Sequence, residues 1–347
     1  MIGYYAHHHG VGHITRSDAI ARSMAEPMTV LSSRSRPAGH AAAEWITLPL
    51  DVDEDSDNAS PEDPSAGGVL HWAPHDVDGL TERMAIIAEW VARERPRAVV
   101  VDVSVEVAMF LRLMGVRVVV MAVPGERVDP VHSLAYRSAT HIVAPWSQQV
   151  YDPAWLRPFS EKTTYAGSIS RFAGRERTAG NAVPTVVVLG AAGGTSLTGD
   201  LVDSWSAVDP RFRFRALGVA GGDWVDDVWP VLCSAALVVT HAGQNAIADV
   251  AASGAPAIVV PQARPFDEQS ATGRALAHGA IAEVLDTWPS VARWHAAADR
   301  ALELGGRRWS ALRTDGAPAR AALAIEQSGV QPAERPGVTS APRAVRQ

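Results

Sequence analysis

The sequence has almost no cysteine and lacks long apolar runs. Its 347 residues include a single cysteine, Cys233, so an internal disulfide is impossible and a reducing compartment is predicted. No segment approaches the roughly 20 apolar residues that span a bilayer, and the N-terminus has no basic stretch followed by a long apolar one. These absences predict a cytoplasmic protein.

An excess of positive charge is also missing. The chain has 31 Lys and Arg against 38 Asp and Glu, a net charge of -7, with an isoelectric point near 5.9. Such a charge repels phosphate backbones, so nucleic acid is not an expected partner and a small-molecule ligand fits better. The length exceeds what one hydrophobic core usually organises, which predicts two domains.

Short β-branched runs alternate with amphipathic helical patterns along the chain. The strand-like runs lie at residues 2–6, 28–32, 98–102 and 116–122, and, after a Gly/Arg-rich break at 168–184, at 185–190, 236–240 and 256–261. Near-continuous apolar strands indicate parallel sheets that are covered on both faces. The pattern predicts an α/β protein of two Rossmann-like doubly wound domains, at residues 1–165 and 166–327.

Two segments depart from this pattern. The acidic, Pro/Gly-rich stretch 51–68 is too long and polar for an ordinary connection, so it predicts a flexible loop, either a solvated one or a functional lid. The tail at residues 328–347 has no periodicity and is predicted to be disordered.

Three glycine-containing loops follow predicted strands, at residues 7–13, 190–196 and 241–245. Ligands of open α/β sheets bind beyond the carboxyl ends of the strands, where glycine lets backbone N–H groups approach phosphate. Each loop taken singly is equally consistent with a tight turn. His7, His8 and His9 are not expected to bind a metal, because consecutive residues of an extended chain point in opposite directions and no Cys/Asp/Glu cluster accompanies them.

The order of these loops resembles the GT-B glycosyltransferases, especially the enzyme that adds N-acetylglucosamine to the peptidoglycan lipid precursor and its natural-product relatives. The most specific part is residues 223–269, which follow the family's donor-binding segment almost without gaps. The resemblance implies two Rossmann-like domains that face a central cleft. It also implies inverting, metal-independent transfer of a hexose or N-acetylhexosamine from a UDP-sugar to a hydroxyl, with no further cofactor.

The resemblance implies a donor site in the C-terminal domain. The backbone near Val225 would bind uracil, Asp249 the ribose hydroxyls, and Asp267, Glu268 and Gln269 the sugar, although the last three also fit an ordinary acidic helix start. The diphosphate would meet His241, Gly243, Gln244 and Asn245, helped by the loop with Gly190, Gly193, Gly194 and Thr195 and by Arg171.

In the N-terminal domain the resemblance makes His13 the general base of an acceptor loop that also contains Gly10 and Gly12. Asp102 would orient the imidazole, as an aspartate does in related small-molecule glycosyltransferases. Two alternatives stay open: Asp102 caps the helix that starts near Val105, and His13 only contacts substrate.

Other functions share some of these features. A UDP-sugar 2-epimerase has the same fold and donor site, and a non-catalytic sugar-nucleotide sensor would have the same loops. A nicotinamide-dependent oxidoreductase would need GxGxxG, but residues 7–13 supply only GxG. The acceptor is either a small molecule or lipid-linked. An arginine-rich surface with His71 and Trp72 would suit peripheral contact with the inner face of a membrane.

Overall fold

The computed structural model describes residues 1–52, 62–177, 183–190, 195–223, 225 and 227–330. Two parallel β-sheets, one of seven and one of five strands, are flanked by helices. The predicted fold of two doubly wound α/β domains is confirmed. Residues 53–61 and 331–347 lie outside the described residues, and with them half of the predicted acidic loop and most of the predicted tail.

The first sheet has the strand order β3-β2-β1-β4-β5-β6-β7, with every neighbouring pair parallel. Its strands are β1 (Ile2–Ala6), β2 (Met28–Ser32), β3 (Glu44–Thr47), β4 (Ala98–Asp102), β5 (Val118–Met121), β6 (His141–Ala144) and β7 (Thr163–Tyr165). The helices between them are α1 (Gly12–Ala21), α2 (Asp78–Glu94), α3 (Val105–Leu113) and α4 (Pro130–Ser138), with a 3-10 turn at Arg157–Lys162.

The second sheet has the order β12-β11-β10-β8-β9, again all parallel. Its strands are β8 (Thr185–Leu189), β9 (Arg213–Leu217), β10 (Leu237–Thr240), β11 (Ala257–Val259) and β12 (Glu283–Val284). The helices are α5 (Gly199–Val208), α6 (Trp229–Cys233), α7 (Gln244–Ser253), α8 (Glu268–His278) and α9 (Val291–Leu304), with 3-10 turns at Pro265–Asp267 and Arg307–Leu312.

Strand β4 shows why the apolar runs form buried parallel strands. Ala98 and Val100 pack in the hydrophobic layer on one face of the sheet, whereas Val99 and Val101 pack in the layer on the other. Successive strand side chains point to opposite faces, so a strand covered on both sides must be apolar throughout. The run ends at Asp102, a polar residue at the carboxyl edge of the sheet, where ligands bind in such folds.

The last helix, α10 (Ala317–Ser328), crosses back to the first sheet. Ala321 and Ile325 are buried in the same hydrophobic layer as Ile2 and Ile20, and Nε of Arg320 donates to the carbonyl of Ala166 at 2.7 Å. The helix therefore belongs to the core of the first sheet, although the sequence-based range 166–327 places it in the C-terminal half. No helix among the described residues is long and apolar enough to cross a membrane.

Candidate active site

His13 and Asp102 form a hydrogen-bonded pair at the carboxyl edge of the first sheet. His13 is the second residue of α1, and its Nδ1 lies 2.9 Å from Oδ1 of Asp102, the last residue of β4. The side chain of His13 is 18% exposed, whereas that of Asp102 is fully buried. Nη2 of Arg16 also lies 3.1 Å from this nitrogen, but the nearer carboxylate only accepts hydrogen bonds, so it favours the tautomer with the proton on Nδ1 and the lone pair on Nε2.

Asp102 has two further partners that the sequence analysis missed. Arg16 donates from Nη2 to Oδ1 at 2.8 Å and from Nε to Oδ2 at 3.0 Å, and the hydroxyl of Tyr4 donates to Oδ2 at 2.7 Å. Burial by itself raises the pKa of Asp102, but Arg16 and His13 outweigh it and hold that pKa well below its usual range. Arg16 lies three residues after His13 on the same helix face, which is the only sequence signal for it.

The alternative that Asp102 caps the next helix is wrong. Helix α3 begins at Val105, and its N-cap is Ser104, whose Oγ accepts from the backbone N–H of Val107 at 3.1 Å. The Asp102 carboxylate is thus free of a capping role and is held by His13, Arg16 and Tyr4.

The two halves meet directly at this site. Arg16 donates from Nη1 to Oε1 of Gln244 at 3.1 Å, and Nδ2 of Asn245 donates to the backbone carbonyl of Gly12 at 3.0 Å. Gln244 and Asn245 are the first two residues of α7. The N-terminus of the helix that is expected to bind phosphate therefore faces the His13 loop, but these two side chains are already engaged by the opposite domain.

His241 follows strand β10 and is buried. Its Nδ1 lies 3.1 Å from the carbonyl oxygen of Val260, so Nδ1 carries the proton. Its Nε2 lies 2.6 Å from Oγ1 of Thr195, and burial lowers the pKa of the imidazole. A neutral His241 therefore accepts from Thr195 and anchors the glycine loop, so it has no proton at Nε2 to donate to a phosphate.

Asp249 and Arg171 are brought together, although the resemblance gives them different tasks. Oδ2 of Asp249 accepts from Nε of Arg171 at 3.0 Å, and Oδ1 accepts from Oγ of Ser170 at 2.7 Å. Burial raises the pKa of Asp249 despite the nearby guanidinium. Ribose hydroxyls would have to share a carboxylate that these two residues already occupy.

The predicted sugar-binding residues differ in their surroundings. Gln269 is buried, and its Oε1 accepts from the backbone N–H groups of Ala242 at 3.2 Å and Gln262 at 3.0 Å. It ties together the loops after β10 and β11. Asp267 is exposed with a left-handed backbone (φ 55°), and Glu268 is the partly buried first residue of α8.

The glycines of the predicted loops serve different purposes. A Cβ on Gly190 would lie 2.0 Å from the carbonyl oxygen of Gly218, so the contact between β8 and β9 requires glycine there. Gly243 is the N-cap of α7, and a Cβ would meet Gln269 only at 3.9 Å. Gly10 is exposed with φ 76°. Gly193 and Gly194 lie outside the described residues.

Val225 is partly buried against the hydrophobic cluster that contains Phe172 and Trp229. Both of its neighbours in the chain, residues 224 and 226, lie outside the described part. Its backbone remains a predicted contact for the nucleotide base.

The reason given for excluding a metal at the histidine run is wrong. The loop after β1 is bent rather than extended, so the rings of His7, His8 and His9 stack with centroids 4.3 to 4.8 Å apart. A second group of metal-ligand types, His71, Asp129 and His132, also converges. Metal independence therefore stays a prediction that needs its own experiment.

A cavity of about 260 Å³ lies at the carboxyl edge of the first sheet, and sequence reasoning did not identify it. Its walls include Tyr5, Val101 and Met121 from the strand ends, together with Phe266 from the second domain. His7 also lines it, and the ring of His7 lies 6.4 Å from that of His13. The cavity is thus next to the candidate base.

Comparison with known proteins bears on the fold and on the class of enzyme. Residues 212–287 match the glycosyltransferase family 28 C-terminal domain. No curated protein sequence matches the chain significantly.

Several solved structures share the fold over nearly the whole chain. The glycotransferase of kitacinnamycin has a TM-score of 0.66 at 17% identity, covering 94% of this chain and 98% of its own. MurG of Acinetobacter baumannii has a TM-score of 0.60 at 15% identity, with 94% and 99% covered. A UDP-glucosyltransferase from Polygonum tinctorium has a TM-score of 0.62 at 13% identity, with 94% and 97% covered. Together with the matched domain, this likeness supports a glycosyltransferase of the GT-B fold, in which residues 212–287 are similar to the family 28 C-terminal domain.

Proposed function

We propose that the enzyme transfers a hexose or N-acetylhexosamine from a UDP-sugar to an acceptor hydroxyl, with inversion and without a metal. The observation that carries this proposal is the His13–Asp102 pair, joined at 2.9 Å and placed across the cleft from the N-terminus of α7. A base on one domain and a phosphate-binding helix end on the other are the two parts that such a transfer needs.

In the proposed reaction Nε2 of His13 takes the acceptor's hydroxyl proton as the oxygen attacks the anomeric carbon. The bond from that carbon to the diphosphate oxygen breaks, and UDP leaves with the electron pair. Direct displacement inverts the anomeric centre. Asp102 keeps the Nδ1 proton in place and stabilises the imidazolium that forms, while backbone N–H groups from Gly243 onward stabilise the developing charge on UDP.

The donor is proposed to lie along the loops of the second sheet. Uracil would sit at the backbone of Val225, ribose at Asp249, and the diphosphate between Gly243 and the Thr195 loop, with Gln244, Asn245 and Arg171 nearby. The sugar would contact Asp267, Glu268 and Gln269. The Polygonum tinctorium enzyme of the same fold is a UDP-glucosyltransferase, which supports a uridine donor.

A sugar-nucleotide panel read by thermal shift tests the donor. UDP-sugars should raise the melting temperature, because a ligand that binds only the folded state stabilises it. NAD(P) should not. Tight binding of NAD(P) without binding of UDP-sugars would overturn the proposed donor. A preference for dTDP-sugars would show that the nucleotide base is thymine rather than uracil.

Product analysis tests the reaction class. Transfer should require an acceptor, give the opposite anomeric configuration by NMR, and persist in EDTA. Conversion of the UDP-sugar to its 2-epimer without acceptor would favour the epimerase instead, and binding with no turnover on any acceptor would favour a sensor. A lipid-linked acceptor and contact with the membrane stay predictions, for which co-sedimentation with anionic vesicles is the measurement.

A further inference from the structure

Arg127 is a buried cation in the wall of the acceptor-side cavity. The residue is only 7% exposed. Its Nη2 donates to the carbonyl of Pro124 at 3.2 Å, and its Nη1 lies 3.2 Å from Nε2 of His132. The guanidinium carbon lies 4.5 Å from the centre of the Phe266 ring. Its Nε is buried and has no hydrogen-bond partner.

Among the described residues, no carboxylate oxygen lies within 4 Å of this guanidinium, so Arg127 has no ion pair. Asp129 is close, but its carboxylate already accepts from Nδ1 of His132 at 2.5 Å, from Nε2 of His71 at 3.2 Å and from the backbone N–H of His132 at 3.0 Å.

The imidazole between the two charges is neutral. With its Nδ1 proton donated to Asp129, His132 accepts at Nε2 from Arg127, which can only donate. The direct contacts of Arg127 are therefore a carbonyl, a neutral ring nitrogen and an aromatic face, and the carboxylates of Glu268 and Asp129 act on it only from beyond ion-pair distance. Buried charges in proteins are normally paired, because desolvation is costly. The missing counter-charge fits a ligand in the cavity.

The cavity limits what that ligand can be. Its walls are mostly apolar, with Leu80, Met84, Val120 and Tyr136 among them. A volume of about 260 Å³ is at the small end for ligand pockets, and it suits one ring or two fused rings rather than a long chain. The anionic group would lie at Arg127, and the hydroxyl would lie toward His7, beside His13.

We propose that the acceptor is a compact, mainly apolar hydroxy acid whose carboxylate pairs with Arg127. The planar guanidinium presents donors that match a carboxylate and add charge to the hydrogen bonds. That this molecule is glycosylated rests on the proposed function, whereas its binding does not.

Calorimetry at pH 7 with hydroxybenzoate and hydroxynaphthoate isomers, each beside its methyl ester, tests the pairing. We expect at least one acid to bind about tenfold or more tightly than its ester, the usual effect of a charge-assisted hydrogen bond. Arg127→Met should abolish this preference, because Met keeps much of the volume without the charge. Arg137→Met, at an exposed position of the helix α4 that follows Arg127, should retain it.

Three results would overturn the proposal: an ester binding as tightly as its acid, a preference that survives in Arg127→Met, or no binding of any acid in the panel. Arg127→Gln serves as a second variant if Arg127→Met does not fold, and UDP binding by each variant reports that the other domain is intact. If the unaltered enzyme binds the acids selectively but not UDP, the proposed donor fails and the carboxylate site stands. If it binds UDP but shows no preference for the acids, only the carboxylate site fails.

Discussion

The guanidinium of Arg16 contacts both carboxylate oxygens of Asp102, through Nη2 at 2.8 Å and Nε at 3.0 Å. The aspartate that orients His13 is therefore already balanced by a cation. In this arrangement Asp102 fixes the tautomer and direction of the imidazole more than it strengthens the base. Arg16 also donates to Gln244 of the second domain, so the His13–Asp102 pair and the N-terminus of α7 share one hydrogen-bond network.

Removal of the Arg16 guanidinium should change how the free energy of unfolding depends on pH. In the native protein the pKa of Asp102 lies below its unfolded value, so the carboxylate stabilises the fold above the unfolded pKa and loses this as pH falls through the folded one. Arg16→Gln leaves a buried carboxylate short of its main partner, which should lower the free energy of unfolding at pH 7 by about 3–5 kcal/mol.

The loss in Arg16→Gln should shrink toward pH 4, because burial then raises the pKa of Asp102 and protonation relieves the unpaired charge. Urea unfolding at both pH values measures this. Arg22→Gln, at the exposed C-cap position of the same helix, is the control and should show little change at either pH. An equal loss at pH 4 and pH 7 would contradict the assigned electrostatics.

Substitutions of His13 and His241 should affect different steps, sugar transfer for His13 and donor binding for His241. His13→Ala should lower turnover by about 10²- to 10⁴-fold, the usual contribution of a general base, with UDP affinity nearly unchanged. His241→Ala should weaken UDP binding by roughly 0.5 to 1.5 kcal/mol, because Thr195 loses the neutral ring nitrogen that anchors its loop. Calorimetry and a transfer assay on both variants decide this, and full activity in His13→Ala would remove the proposed base.

Two glycine substitutions should affect different properties, fold stability in one case and UDP binding in the other. In Gly190→Ala the new methyl meets the Gly218 carbonyl at 2.0 Å, so the free energy of unfolding should fall by about 1–3 kcal/mol. In Gly243→Ala the methyl has room, so stability should stay near native while UDP binding weakens at the helix N-terminus. Urea unfolding and UDP calorimetry on both variants measure these effects. Normal UDP binding by Gly243→Ala would contradict a diphosphate site at the N-terminus of α7.

Asp249→Asn should reduce donor binding without destabilising the fold. The folded pKa of Asp249 is raised by burial, so this carboxyl contributes stability below its unfolded pKa and loses it as pH rises through the folded one. At pH 7 the neutral isostere should therefore unfold no more easily than Asp. UDP affinity should fall, because Asn has a single acceptor oxygen for Arg171 and the ribose. If Asp249→Asn unfolds at a markedly lower urea concentration but binds UDP with unchanged affinity, Asp249 does not bind the ribose.

The amino-acid sequence by itself determined the two parallel sheets and the edge at which the site lies. The spacing of apolar residues and the positions of turn residues are local properties of the chain. They therefore predict strands, crossover helices and the polar residue that ends a strand. These patterns place Asp102 at a strand end and His13 and His241 in glycine-containing loops that follow strands, whereas the roles predicted for them came from the resemblance to GT-B glycosyltransferases. The clustering of His7, His8 and His9 was not predicted, because the bend of their loop is not a periodic feature.

Only the tertiary structure decided which of these groups are already occupied. Arg16 and Tyr4 fill the remaining positions on Asp102, and Arg171 and Ser170 hold Asp249. Such pairings form because a buried carboxylate must be satisfied by whatever donors the packed elements bring within reach. The tertiary structure also decides the position of α10, which packs on the first sheet. It likewise shows that Arg127 lacks an ion pair, which depends on the residues that surround it in the cavity wall.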